Sequence, residues 1–379
     1  MKFLKLILAN ILRKKARMLL TTGSFAVALF LFGLLMAIHN GFYQSIEAAG
    51  ADRLITRNKV SLINFLPYAH KAKIEAIEGV ERAVPSVWFG GVYQDRRNTF
   101  PQVAIEPEHF RVSFPEYLMD DAQWKDFETD RQGCAVGQKL IDRFGWKIGD
   151  RIPIQGTIFP GSWEFNLRAI YEGNSDSVDE NGFYFHYRYL EERIPYLKGQ
   201  VGWYSVIVKD PEASSATCQA IDLLFENSTH ETKTEPEKLF MVGFMKQLGN
   251  IKAILLAVGA VVIFTLLLVT GSTMAMAVRE RTPEIAILKT LGFSDTLVLR
   301  VVLIEALLYA GIGGTIGLLL AKLLTLGGDP TQGMLPTFVL TPENLLAGLL
   351  LTALTGMLSG GIPAIQAMKL RIVQALRRV

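Results

Sequence analysis

Ala253–Val278 reads AILLAVGAVVIFTLLLVTGSTMAMAV, 26 consecutive residues without a charge. A hydrocarbon core about 30 Å thick needs about 20 helical residues at about 1.5 Å each, so this stretch can cross a bilayer. Three others are comparable: Leu19–Ile38 has 20 uncharged residues, Leu345–Ile365 has 21 with Pro363 near its end, and Val301–Ala321 has 21 with one charge, Glu305. One such run is compatible with a buried helix of a soluble protein; four in one chain predict an α-helical membrane protein with four spans.

The rest of the composition fits that reading. Half of the 379 residues are hydrophobic and a fifth are charged, which excludes a disordered chain, and two cysteines cannot build a disulfide scaffold. The apolar core of the first run exceeds the usual 7–15 residues (about) of a signal peptide. No small-residue cleavage site follows Leu35-Met36-Ala37-Ile38-His39, so it is expected to be an uncleaved anchor.

Charge sets the orientation. Lys2, Lys5, Arg13, Lys14, Lys15 and Arg17 precede the first span, Arg279, Arg281, Lys289 and Arg300 follow the second, and Lys369, Arg371, Arg377 and Arg378 follow the fourth, whereas Thr325–Asn344 has no Lys or Arg. The positive-inside rule places both termini and the 279–300 loop in the cytoplasm. Gly41–Asn250 then lies outside, with 23 basic and 30 acidic residues, so the net +3 of the whole chain is a membrane-flank effect. It is no sign of nucleic-acid binding, for which no motif is present.

The expected division follows. Residues 1–18 form a cytoplasmic interfacial helix, with Leu4, Ile7, Leu8, Ile11 and Leu12 as its apolar stripe; a plain topology anchor is the alternative. Residues 19–40 are the first span, 41–250 an α+β extracytoplasmic domain, 251–278 the second span, 279–298 a cytoplasmic loop, 299–324 the third span, 325–342 a short outer loop, 343–366 the fourth span and 367–379 a basic tail. Within the outer domain, Lys71–Ile77 reads as a helix ended by Gly79, Lys139–Phe144 and Ala213–Glu226 as helices, and Arg151–Gln155, Phe165–Tyr171 and Trp203–Val208 as strands, with Gly149-Asp150 as a turn.

Catalytic chemistry is hard to place. The sequence contains no Gly-Lys dipeptide, hence no Walker A loop. Leu358-Ser359-Gly360-Gly361 is similar to the start of an ATP-binding-cassette signature but falls inside the fourth span, where small residues for helix packing are the better reading. Gly313 and Gly317 form a small-xxx-small face in the third span. His39, His70, His109, His186 and His230 have no metal-ligand partners at suitable spacing, and Ser162 and Ser272 sit in no nucleophile-elbow pattern. Cys134 and Cys218 share the exported segment, as a disulfide or as two buried free thiols. Glu305, the one intramembrane acid, is expected in an interior contact relieved by water or Arg300, and Lys322 to snorkel at the outer end.

The 279–300 loop is the most informative segment. Thr282 can cap a helix, Pro283 suits its first position, Glu284 favours the positive end of its dipole, and Gly292 stops it. Ile285, Leu288 and Leu291 then share a face. A re-entry turn would not need apolar residues facing water; a docking element for a cytosolic partner would.

Val278–Ser294 (VRERTPEIAILKTLGFS), followed by Ile304-Glu305-Ala306 and a Gly-rich span, resembles the cytoplasmic loop of permeases of the MacB/FtsX superfamily, the membrane subunits of mechanotransmitting (type VII) ABC transporters. Pro363-Ala364, Ala367 and Ala375-Leu376-Arg377 are similar to the family's terminal motif, with Ile372 where a proline is common. Val136–Leu140 with Gly149–Ile152, and Ile77–Val80, resemble its external core domain.

The resemblance implies an outer domain of two subdomains, a permease dimer of two copies or of paralogues, and a separate cytosolic ABC ATPase that carries ATP and Mg, this chain binding no cofactor and catalysing nothing itself. It implies ATPase coupling through Thr282, Glu284, Ile285, Leu288, Lys289 and Gly292, with Ile285 and Leu288 in a groove of the partner and Glu284 and Lys289 setting register. ATP-driven motion would be relayed to the periplasmic domain of an inner-membrane protein to export substrate, with or without a periplasmic adaptor and outer-membrane channel. A lipoprotein-releasing permease of the same architecture and a non-transporting transmembrane regulator are the alternatives. The Gly313/Gly317 face is expected to support close contact between copies.

Overall fold

The computed structural model describes residues 13–95, 98, 100–175, 178–247, 251–327 and 338–370. The expected interfacial stripe at residues 4–12 and the tail beyond residue 370 lie outside them. The chain divides into an outer unit, residues 41–249, and a membrane unit built from the four long apolar helices.

The outer unit opens at the end of helix α1 (Lys15–Ala48) and continues through strand β1 (Arg53–Asn58), α2 (His70–Glu75), β2 (Val80–Trp88), β3 (Gln102–Ile105), α3 (Pro107–Ser113), β4 (Tyr117–Met119), α4 (Asp121–Thr129), β5 (Gly133–Gly137) and α5 (Gln138–Phe144). It is completed by β6 (Arg151–Gly156), β7 (Gly161–Gly173), β8 (Phe183–His186), α6 (Tyr187–Arg193), β9 (Trp203–Val208), α7 (Ser214–Leu224), β10 (Thr232–Pro236) and α8 (Glu237–Gln247). Each of the six elements expected from sequence in this domain is present, with ends shifted by a residue or more in most cases. Gly79 has φ +90°, a left-handed position that Gly adopts without strain.

The strands form one mixed sheet in the order β10-β1-β9-β2-β3-β8-β5-β7-β6, closed by the short strand Gly91–Val92, with β4 paired to β7. β3 and β8 run parallel, as do β5 and β7; the other pairs are antiparallel. Strand β7 shows why the sheet holds. Trp163, Phe165, Leu167, Ala169 and Tyr171 are buried at every second position while their neighbours are not, the period of a pleated strand with one face on the core. Phe89 meets the rings of Trp163 and Phe185 edge to face at 5.1 and 5.2 Å, a favoured aromatic geometry. Cys134 and Cys218 are buried free thiols.

In the membrane unit, α1 spans with Lys15–Gly41, followed by α9 (Ile251–Glu280), the short α10 (Thr282–Thr290), α11 (Asp295–Leu326) and α12 (Pro342–Met368). Three of the spanning helices pack through small residues. A Cβ at Gly356 or Gly360 of α12 would lie 2.8 Å from Ala310 Cβ and 2.4 Å from Ala306 Cβ of α11. On the other side of α11, a Cβ at Gly313 would lie 2.3 Å from the Thr22 carbonyl oxygen, and one at Gly317 2.2 Å from that of Ala26. The small-xxx-small face is thus occupied by α1 of the same chain, because two backbones approach this closely only where no side chain intervenes. It is not available to a second copy. Helix α9 is the least enclosed: Leu256, Val261 and Phe264 are 63–65% exposed. Lys322 donates to the Leu340 carbonyl at 2.9 Å instead of extending away from the bundle.

Candidate functional site

The loop between α9 and α11 holds the sequence-selected residues, and the structure redistributes their tasks. Thr282 is no cap: its hydroxyl donates to the Val278 carbonyl at 3.3 Å, and the residue preceding α10 is Arg281, without a side-chain cap. The helix stops as expected at Gly292, φ +93°. Ser294 then caps α11, its hydroxyl accepting from the Leu297 N–H at 3.3 Å.

The inner face of α10 is the one expected to point outward. Ile285 and Ala286 are buried, Ile285 in a cluster with Met274, Val298, Val302 and Ala364. Leu288 is half-buried and lines a cavity of about 60 Å³ shared with Arg281, Ile285 and Glu305. Ile287 and Leu291 are 53% and 73% exposed. They stand four residues apart, which puts them on one stripe of the helix, and they form its outward apolar face.

The charged residues tie the loop to every span. Arg281 Nη1 lies 2.7 Å from Glu305 Oε2, and the Tyr309 hydroxyl donates to Glu305 Oε1 at 3.4 Å. Glu305 is 3% exposed, and its charge is answered by Arg281 and not, as expected, by Arg300, which precedes it on the same helix. Lys289 is turned inward: its ammonium donates to the carbonyls of Met368 and Leu370 at 2.6 and 3.0 Å and pairs with Asp295 at 2.8 Å. Those carbonyls end α12, where helical acceptors lack intrahelical donors. Lys289 is therefore not free to set register on a partner. On the side of the first span, Arg13 pairs with Glu284 at 2.7 Å, and Lys14 and Arg17 both pair with Glu280.

Sequence reading missed Glu280 and the role of the basic run before α1. Lys14 and Glu280 stand 266 positions apart, and the run was already explained by topology. These pairs face solvent, which screens them, so they add little to stability. The buried Arg281–Glu305 pair is different: removing one partner strands a charge away from water, at about 3–5 kcal/mol. Among the described residues the assembly holds no cluster of His, Cys, Asp and Glu with the makings of a metal site. It can transmit force. A displacement of α10 is shared through buried contacts with α9, α11 and α12, and through ion pairs with the start of α1.

Comparison with known proteins bears on the same segments. The description "MacB-like periplasmic core domain" matches residues 18–223, and "FtsX-like permease C-terminal" matches residues 256–372. An uncharacterized ABC transporter permease of Methanocaldococcus jannaschii is 24% identical, over 97% of this chain and 96% of its own length. The macrolide export ATP-binding/permease protein MacB of a Shewanella species is 34% identical over 72% of this chain, which spans 42% of that protein. The periplasmic region of MacB from Actinobacillus actinomycetemcomitans aligns with a TM-score of 0.37 and 11% identity, covering 54% of this chain and 96% of that one.

Proposed function

Because the chain belongs to the MacB/FtsX family of ABC-transporter permeases, we propose that it is the membrane subunit through which a separate cytosolic ATPase, holding ATP and Mg, moves a periplasmic domain to export substrate. The observation that carries this reading is the loop around α10. Its outward face presents Ile287 and Leu291 to the cytoplasm, while its inward face is fastened to the spans. A partner seated on the outward face would push on all four spans at once, with no need for substrate to pass between them. Two permease copies would complete the assembly. The lipid-exposed face of α9 supports that pairing, and the glycine seam of α11, already filled by α1, does not.

The docking face can be tested directly. Fully burying a Leu or Ile side chain stabilises by about 1.5–3 kcal/mol, and Leu291 and Ile287 have 73% and 53% of their surface still to bury. Truncating either to Ala should cost about 1–2 kcal/mol, a roughly 5- to 30-fold loss of affinity for the ATPase. Stimulated ATP hydrolysis should fall with it in the purified complex, while membrane insertion and folding stay as in the wild type. Unchanged affinity in the Ile287→Ala/Leu291→Ala double variant would overturn the docking face. Leu288→Asp, in contrast, is expected to disturb the permease itself, because Leu288 lines the cavity behind the helix.

A further inference from the structure

Two chain segments join the outer unit to spanning helices: the one that leaves α1 at Ala48 and the one that begins α8 at Glu237. They run side by side. β1 pairs antiparallel with β10, with Leu54 opposite Pro236 and Thr56 opposite Thr234. Where this ladder meets the end of α1 and the start of α8 lies Arg53, 5% exposed.

Its guanidinium has three sets of partners. Nε donates to Glu237 Oε2 at 2.7 Å, Nη1 meets Glu116 Oε1 at 2.6 Å, and the ring of Phe114 lies 4.8 Å from the cation. The Gly50 N–H donates to the same Glu237 oxygen at 3.1 Å. One cation therefore joins the segment coming from α1 (Gly50, Arg53), the segment going to α8 (Glu237), and the loop between α3 and β4 (Glu116). Burial pushes the Glu116 carboxyl above the usual carboxylate range and Arg53 pulls it back. A buried ion network of this kind adds little stability over well-packed apolar residues. What it supplies, and an apolar contact does not, is a fixed geometry, since the planar guanidinium meets two carboxylates along set directions.

We propose that Arg53 is a positioning residue of the relay: it clasps the segments from α1 and to α8 into one element that moves the sheet and the Glu116 loop as a body. This rests on the relay proposed above. A residue serving stability alone would leave the response to nucleotide intact once the domain is folded.

The experiment uses the full chain with its ATPase in lipid nanodiscs, with amide hydrogen exchange followed without nucleotide and with ATP plus vanadate. In the wild type, exchange in β1, β10 and the Glu116 loop is expected to change together. In Arg53→Gln the change in β10 and the Glu116 loop should be lost, while protection in β5, β7 and β8 stays as in the wild type. Glu237→Gln leaves Arg53 paired with Glu116, and should give the same loss should Arg53→Gln fold poorly. The Thr56 and Thr234 hydroxyls lie 3.0 Å apart, so a Thr56→Cys/Thr234→Cys disulfide can tie the two segments by another bond. Added to Arg53→Gln, it should restore the response under oxidising conditions and not under reducing ones. An equal response in wild type and Arg53→Gln would overturn the clasp, as would a loss that the disulfide does not restore. A wild type with no response in its outer unit would overturn the relay itself, and the clasp with it.

Discussion

Removing Arg281 tests how the loop between α9 and α11 is held. In Arg281→Ala, Glu305 keeps the Tyr309 hydroxyl, among the described residues, as a donor at 3.4 Å, too long for a strong hydrogen bond. Glu305 is 3% exposed, so water can do little to replace the lost partner. Stranding one member of a buried ion pair costs about 3–5 kcal/mol, which is roughly 10²- to 10⁴-fold in the unfolding equilibrium. Replacing both partners with apolar residues of similar size should remove that cost, because neither desolvated charge remains. Arg281→Met/Glu305→Leu is therefore expected to unfold near the wild-type midpoint, and Arg281→Ala well below it. The assay is equilibrium unfolding in mixed detergent micelles, with stimulated ATP hydrolysis measured in parallel. The double variant should keep the fold and lose part of the stimulation, since α10 is then tied to α11 by packing and the Lys289–Asp295 pair, without the buried ion pair. The reasoning fails if Arg281→Ala is as stable as the wild type, or if the double variant is no more stable than the single one.

Two other outcomes follow from the fold. Gly317→Val places a side chain where even a Cβ lies 2.2 Å from the Ala26 carbonyl, whereas Gly311 has open space around it; Gly317→Val should lower the free energy of unfolding by about 1–3 kcal/mol or more and Gly311→Val should not, and equal effects would discredit the α1–α11 seam. His70 is buried, stacked on Phe225 at 3.9 Å and close to the His230 ring; burial first, then the charges of His230 and Lys73, push its pKa down to about 4. An unfolded His titrates near about 6.5, so the stability that comes from holding His70 neutral is complete above that pH and is lost as pH falls toward about 4. The melting temperature should drop across that window in the wild type and drop less in His70→Phe; parallel pH profiles would refute the assignment.

What sequence shows here, and what it does not, follows from the range of each interaction. The four spans depend on length and the absence of charge, both local properties, and the strand Trp203–Val208 is bounded as its alternation implies. The ends of the spans are blurred because Lys15, Arg17 and Glu280 continue the helices past the apolar runs, and ion pairs make those turns tolerable. The sheet order is not local: β1 sits between β9 and β10, which follow it by some 150 residues or more. In the loop between α9 and α11, Ile285 looks like a residue meant for a partner because sequence presents α10 as an isolated helix. The spans beside it reverse that, since the stripe they cover becomes core and Ile287 and Leu291 are left outside. The spacing of Gly313 and Gly317 suggests a contact face, but nothing in it says whether the facing helix comes from the same chain.

The seam between α1 and α11 also imposes an order on biosynthesis. Gly313 is made about 290 residues after Thr22, a delay of roughly 15–60 s at about 5–20 residues per second. Throughout that interval the first helix has been delivered to the bilayer and the surface it turns to Gly313 and Gly317 has no counterpart. The whole outer segment must be translocated meanwhile, and its β1 strand cannot complete its pairing until β10 emerges. Retention of the first helix then rests on its own uncharged length and on the basic residues that precede it. A nascent chain halted before residue 313 should leave Thr22, Phe25 and Ala26 facing lipid or an insertase, and a membrane-embedded protease or quality-control factor would meet the protein in that state.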